Sequence, residues 1–327
     1  MAEITPVMVR VRRGLPWALP AAAALVFVAA AFGAAGPRAT PKKILFFSKS
    51  SGFEHDGIKA DGRPGHGFAF RVMRELAGRH ALDVTYSKDG SRFTADYLAQ
   101  FDTFVFYTTG DLTRARNDAR YGDDQPPLSD AGKTALLRAI EHGKGFVGLH
   151  CAADTFHSPG GKDDDTPARY ENDGERADPY VRMLGGEFIK HDAQQKARQI
   201  VADSRFPGIA EVPADFSPRE EWYSLKNFAP DLHVLLVQET RGMAGRSYQR
   251  PRYPSTWARL HGEGRVFYTS MGHREDVWTN PVFQSVLAGA IDWVTRRVDA
   301  DVTPNLTQVA PEANTLPKFV PPAGKLP

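Results

Sequence analysis

A chain of 327 residues, 42% hydrophobic and 24% charged, has the apolar content for one large or two small globular domains, which excludes a disordered polymer. A formal charge of +2, with no basic run interleaved with aromatics, gives no electrostatic basis for binding nucleic acid. A lone cysteine excludes an intrachain disulfide, so the core alone must hold the fold.

Residues 1–36 read as a separate unit. Arg10, Arg12 and Arg13 precede an apolar run from Leu15 to Ala35, and Gly33, Ala34, Ala35 and Gly36 resemble a processing site. The pattern predicts a signal peptide or, if uncleaved, a signal anchor; Pro16, Pro20 and the alanine-rich texture favour the peptide. In both cases the basic residues stay inside. The body is expected to be exported, periplasmic or extracellular, with any membrane attachment confined to this segment.

From residue 37 to residue 300 strands and helices alternate. Lys43–Ser48 is a strand, followed by a loop and a helix over Phe68–Gly78 with Phe68, Ala69, Val72, Met73 and Leu76 on its apolar side. Strand Leu82–Ser87, a short helix near Thr94–Gln100 and the apolar strand Thr103–Tyr107 come next. Ser129 and Asp130 offer an N-cap for a helix that runs through His142 and stops at Gly143. Strand Gly145–Leu149 then runs into His150. Parallel strands in βα units predict an open sheet with helices on both faces.

The stretch from Cys151 to Phe228 is long for a connection and reads as a lid or wall over a site, ordered at Tyr180–Leu184 and Gly185–Phe188. Strands resume at Gln199–Ala202, Leu232–Gln238, Thr256–Leu260 and Val266–Ser270, and an amphipathic helix covers Pro281–Val298. Residues 301–327 form a Pro-rich tail, read as extended from Thr303.

Chemistry concentrates after the strands. Open α/β sheets bind ligands at the carboxyl ends of their strands. There, related architectures hold a nucleophile at a sharp turn between glycines. In this chain that elbow holds His150, and Cys151 comes one residue late, where alternation turns its side chain into packing. His55, His150 and His273 each follow a strand, His191 lies in the long connection, and Glu221 sits beside Trp222 and Tyr223. Imidazole suits proton transfer near neutral pH or a transition metal, so a divalent ion such as zinc is one expectation, with His150, His191, Glu221 and His273 as its ligands. Asp154, His157 and Tyr180 are further candidates for substrate contact, with His55, Trp222 and Tyr223. His66, His80, His142, His233 and His261 read as ordinary solvated histidines. Asp163–Asp165 reads as a solvated loop, since it lacks the alternating spacing of a calcium loop.

Five blocks carry a family resemblance: Gly52-Phe53-Glu54-His55, Gly148 to Asp154, Leu184 to Phe188 with His191, Glu220 to Tyr223, and Gly272-His273. In this order they resemble the trehalose-utilisation (ThuA-like) family over roughly Lys42 to Arg297. The resemblance implies a flavodoxin-like, mostly parallel sheet of the class I glutamine amidotransferase type and a link to bacterial sugar metabolism, including sugars oxidised to 3-keto forms. A histidine at the elbow departs from the amidotransferase pattern and argues against glutamine hydrolysis. The expected activity is elimination or hydrolysis of 3-keto glycosides, with His150, His273, Glu221 and His191 as the catalytic set. A sugar dehydrogenase would be its functional neighbour. The alternative is a non-catalytic carbohydrate-binding domain on the same fold.

Overall fold

The computed structural model describes Met1 and residues 40–59, 67–116, 122–160 and 166–321. Residues 2–39, which hold most of the segment read as an export signal, and His66 and Asp163–Asp165 lie outside the described residues. Among the described residues no helix is long and apolar enough to cross a membrane.

The first half alternates as expected: β1 (Lys42–Phe47), α1 (Phe68–Arg79), β2 (Leu82–Ser87), α2 (Ala95–Ala99), β3 (Thr103–Phe106), α3 (Asp130–Glu141) and β4 (Gly145–Leu149). The Ser129 hydroxyl caps α3 by accepting from the Gly132 amide at 3.0 Å. The second half holds α4 (Pro179–Leu184), β5 (Glu187–Lys190), β6 (Gln195–Lys196), β7 (Gln199–Val201), β8 (Arg219–Glu220) and β9 (Ser224–Lys226). It continues with β10 (His233–Gln238), β11 (Tyr253–His261), β12 (Gly264–Thr269), α5 (Glu275–Trp278), α6 (Pro281–Val294) and α7 (Leu306–Val309).

The central sheet has the order β2-β1-β3-β4-β12-β11-β10-β7. Its first five strands are mutually parallel, in the 2-1-3-4-5 arrangement of flavodoxin-like sheets, whose switch point lies between β1 and β3. The last three strands run antiparallel, joined through a two-residue hairpin at Gly262 and Glu263. Helices α1, α5 and α6 pack together in one layer, and α2, α3 and α4 in another. β4 lies between them. A side chain at Gly145 would strike Val294 of α6, and one at Gly148 would press on Leu184 of α4. Phe46, Phe106, Phe146 and Phe267, all fully buried, fill the sheet faces, each worth about 1.5–3 kcal/mol of burial.

Most strand ends shift by one to three residues from the sequence reading, β11 the most, since it starts at Tyr253, and two differences are larger. The last long helix ends at Val294 instead of Val298, because Thr295 turns its hydroxyl onto the Ile291 carbonyl at 2.7 Å and Arg296 takes a positive φ. The segment read as an extended tail packs on the body. It forms α7, buries Leu306, Ala310 and Ala313, and pairs Asn305 with the Val234 backbone and Asn314 with that of Phe228. Side-chain amides, which periodicity does not register, fasten it there.

Candidate functional site

Four loops deliver four side chains to the carboxyl edge of the parallel strands. His55 ends the loop after β1, His150 follows β4, His273 follows β12, and Glu221 follows β8. One ligand atom from each lies within 4.8 Å of all the others.

His150 sits at φ +43, a left-handed conformation that costs a non-glycine residue on the order of 1–3 kcal/mol. Two hydrogen bonds hold it there. Its Nδ1–H donates to the Ser270 carbonyl at 2.9 Å, and the Tyr268 hydroxyl donates to its own carbonyl at 2.8 Å. With Nδ1 protonated, Nε2 presents a lone pair to the cluster. Burial drives this imidazole's pKa down to about 3, so it is neutral.

Gly272 sets the direction of His273. Its φ of +118 demands glycine, although a Cβ there would meet only ordinary contacts from 3.6 Å outward. Its carbonyl accepts from Tyr107 at 2.8 Å and from the Trp278 indole at 2.7 Å. Beneath this turn lies Glu220, a fully buried carboxylate that the sequence reading did not single out. It accepts from the amides of Gly272 at 2.7 Å, His273 at 3.0 Å and Glu221 at 3.0 Å. Burial raises its pKa to about 7 against these donors. One side chain thus fixes the backbone of two of the four converging residues.

Glu221 is the hub. Its Oε2 lies 3.1 Å from His273 Nδ1, 3.5 Å from His150 Nε2 and 3.9 Å from His55 Nε2. His273 Nδ1 and His150 Nε2 are 3.3 Å apart. Burial works to raise the carboxyl, but the imidazoles of His150, His273 and His55 outweigh it and hold the group far below the usual carboxylate range. Burial lowers the pKa of His55, while the Glu221 carboxylate overcomes burial and raises that of His273.

The donor set fits a divalent first-row ion. Ligand bonds of about 2.0–2.1 Å place tetrahedral ligands about 3.3 Å apart, close to the separations around Glu221. His55 and His150 are held neutral and Glu221 charged, as coordination requires. His55 Nδ1 is buried without a partner, and Tyr223 approaches its Nε2 at 3.4 Å. His273 joins on one condition. Arg274 donates to Gln194 Oε1 at 2.7 Å, which leaves the Gln194 NH2 to face His273 Nε2 at 2.9 Å and puts the imidazole proton on Nδ1. Turning that amide over would free Nδ1 for a metal only once Arg274 lets go of Gln194, because a guanidinium cannot donate to an NH2.

The remaining candidates divide. His191, 41% exposed, stands at the rim, 3.5 Å from Glu221 Oε1 and stacked on Tyr223. His55 thus takes the place in the converging set that the sequence reading gave to His191, because the loop after β1 returns to the cluster whereas the one after β5 stops at its edge. Tyr223, 2% exposed, packs under the His150 ring at 4.2 Å. Trp222 is fully buried and donates to the Gln195 carbonyl at 3.0 Å, which ties the Glu221 segment to β6. Tyr180, 1% exposed, donates to the Ala152 carbonyl at 3.0 Å and belongs to the core. Asp154 and His157 form a separate cluster with Glu187: His157 Nε2 lies 2.6 Å from Asp154, and its Nδ1 lies 3.0 Å from Glu187. Cys151 is fully buried, and burial with the nearby Asp154 charge raises its thiol far above the ordinary value.

A flavodoxin-like sheet with a histidine and carboxylate cluster at its switch-point edge defines the class. The chain belongs to the ThuA family, described as trehalose utilisation, which it matches over residues 43–294. It is similar to a ThuA-like protein of known structure from Bacteroides uniformis, at 20% identity and a TM-score of 0.56 over 80% of this chain and 94% of that one. A second, from Parabacteroides merdae, matches at 16% identity and a TM-score of 0.51 over 86% and 98%. These likenesses establish the fold. No functionally curated protein matches the sequence.

Proposed function

We propose that this protein is an exported, metal-assisted enzyme that cleaves 3-keto glycosides. The observation that carries the reading is the convergence of three imidazoles on one charged carboxylate, with ligand atoms within 4.8 Å of one another. His55, His150, Glu221 and His273 would hold the ion. When bound, it would supply a Lewis acid that stabilises negative charge on a carbonyl oxygen.

The protein's own groups account for the rest. A ketone at C3 acidifies the C2 hydrogen. A base takes that proton, and the C–H electron pair forms the enolate. The enolate then collapses to the ketone with a C1–C2 double bond, and the group on C1 leaves with its bonding pair and gains a proton. Water adds across the double bond. His191, the exposed imidazole at the rim, is the proton carrier in this scheme. Tyr223 and Glu220 keep the cluster in register from below. A dehydrogenase that oxidises a sugar hydroxyl to the ketone would have to supply the substrate.

The test combines metal analysis with proton NMR. Purified protein incubated in deuterated water with a 3-keto disaccharide is expected to lose the C2 proton signal and cleave the glycosidic bond. A chelator should abolish both. Absence of exchange and cleavage in metal-supplied, folded protein would favour a carbohydrate-binding role instead.

A further inference from the structure

We infer that the open cleft on the outer side of His273 is a second sugar subsite, which seats the ring that does not undergo chemistry. The inference rests on the glycoside reading above. The cleft has a volume of about 590 Å³, within the roughly 300–1,000 Å³ of small-molecule sites, and His273 forms part of its wall. His273 is the wall that the cleft shares with the cluster, so a substituent on C1 of a ring at the cluster has this space on the other side of that imidazole.

The lining selects the ligand. Asp56, Phe68, Gln194, Arg274, Asp276 and Thr279 face the cleft. Arg274 is held flat by two hydrogen bonds to Asp276, at 2.8 and 3.1 Å, and by one to Gln194 at 2.7 Å. Those three bonds use three of its five N–H groups and leave two for a ligand. Asp276 and Asp56, with side chains 62% and 86% exposed, keep carboxylate lone pairs available. Donors beside acceptors match the hydroxyls of a sugar, and Phe68 adds apolar surface for its C–H groups. Three acidic side chains, Asp56, Glu275 and Asp276, line the cleft and disfavour a phosphate or an acidic sugar, and the charges disfavour an apolar ligand. A neutral polyhydroxylated ring satisfies every group. The Arg274–Gln194–His273 chain then joins the subsite directly to the cluster.

Isothermal titration of the full chain with trehalose and with methyl α-glucoside tests this. Trehalose fills both sites and the glucoside one, so trehalose should bind about tenfold tighter. Thr279→Trp, which fills the cleft from an exposed position, should bring the two affinities together; so should Phe68→Ala, which empties it, and melting temperatures identify which variant keeps its fold. Equal affinities in the parent protein, or an undiminished trehalose advantage in a folded variant, would overturn the subsite. If the C2 exchange reaction fails while the advantage for trehalose and its loss in the variants persist, the catalytic reading falls and the subsite stands.

Discussion

Two histidine–carboxylate clusters among the described residues, around Glu221 and around His157, are built on opposite ratios. Around Glu221, three imidazoles share one carboxylate, and their nitrogens point at one another. Around His157, two carboxylates share one imidazole. Glu187 there also accepts from the Ser158 amide at 3.1 Å, the Ser158 hydroxyl at 2.5 Å and Asn227 at 2.7 Å. In the second cluster charge and hydrogen bonds close on themselves, and nothing further is needed. In the first, lone pairs exceed protons, and an added cation would complete the set. Histidine beside acid is therefore not by itself a functional sign; the balance of donors and acceptors is.

The sharpest way to break this contrast is to remove a member of each cluster. His150→Ala or Glu221→Gln should cost at least about a thousandfold in turnover of a 3-keto disaccharide and empty the metal site, with circular dichroism unchanged. Metal content by plasma mass spectrometry is the check. Retained metal in both variants would sink the coordination scheme.

Glu187→Gln should do the reverse. It leaves His157 with one carboxylate instead of two, and breaking a buried pair costs about 3–5 kcal/mol of stability, while metal content stays constant. pH sharpens the difference. Burial raises the Glu187 carboxyl, but His157 and Lys226 outweigh it and hold it at about 2, below its ordinary 4.5. Its contribution is therefore full above 4.5 and is lost as pH falls toward 2. His157 is buried, which lowers its pKa, but Asp154 and Glu187 raise it above 6.5, so its contribution is full below 6.5 and is lost as pH rises through the folded value. The pair stabilises most between 4.5 and 6.5. Melting temperature against pH should fall on both sides of that window, and the acid limb should flatten in the Glu187→Gln variant.

Much of this was legible in the sequence, for reasons specific to each element. The parallel half could be read because β1, β3 and β4 are apolar runs bounded by caps and glycines, which placed His150 at a strand end, and the apolar run of β12 did the same for His273. The other members were harder. His55, His191 and Glu221 sit on loops whose path depends on side-chain hydrogen bonds, so the sequence reading gave metal ligation to His191 and only substrate contact to His55. Trp222 and Tyr223 read as substrate contacts because aromatic content does not reveal which side of the connection between β8 and β9 is buried. Glu220 carried no periodic signal. Its place at the head of the Glu220 to Tyr223 block, next to another carboxylate, was the sign available.

Glu220→Gln offers a middle-sized test of how far the open cluster depends on its backing. The amide keeps one acceptor oxygen but replaces the other with an NH2 that would face either the amides of Gly272 and His273 or that of Glu221. Outer-shell losses of this kind cost about 10–100-fold in metal affinity. The readout is affinity in a chelator competition, with KM for the sugar unchanged, since Glu220 touches no ligand. A variant that loses stability but keeps metal affinity would assign Glu220 to the fold alone.

The smallest effect is expected at the residue that related architectures would make the nucleophile. Cys151 directly follows the strained His150, and the left-handed turn sends the two side chains apart, His150 to the cluster and Cys151 into the core. Its thiol is raised far above the ordinary value by burial and by Asp154, so almost no thiolate exists at neutral pH, and the thiolate is the reactive form. Iodoacetamide should therefore label Cys151 only in denaturant and change native turnover by less than about twofold, whereas a folded protein alkylated at Cys151 with its turnover lost would transfer the chemistry of the elbow from imidazole to sulfur.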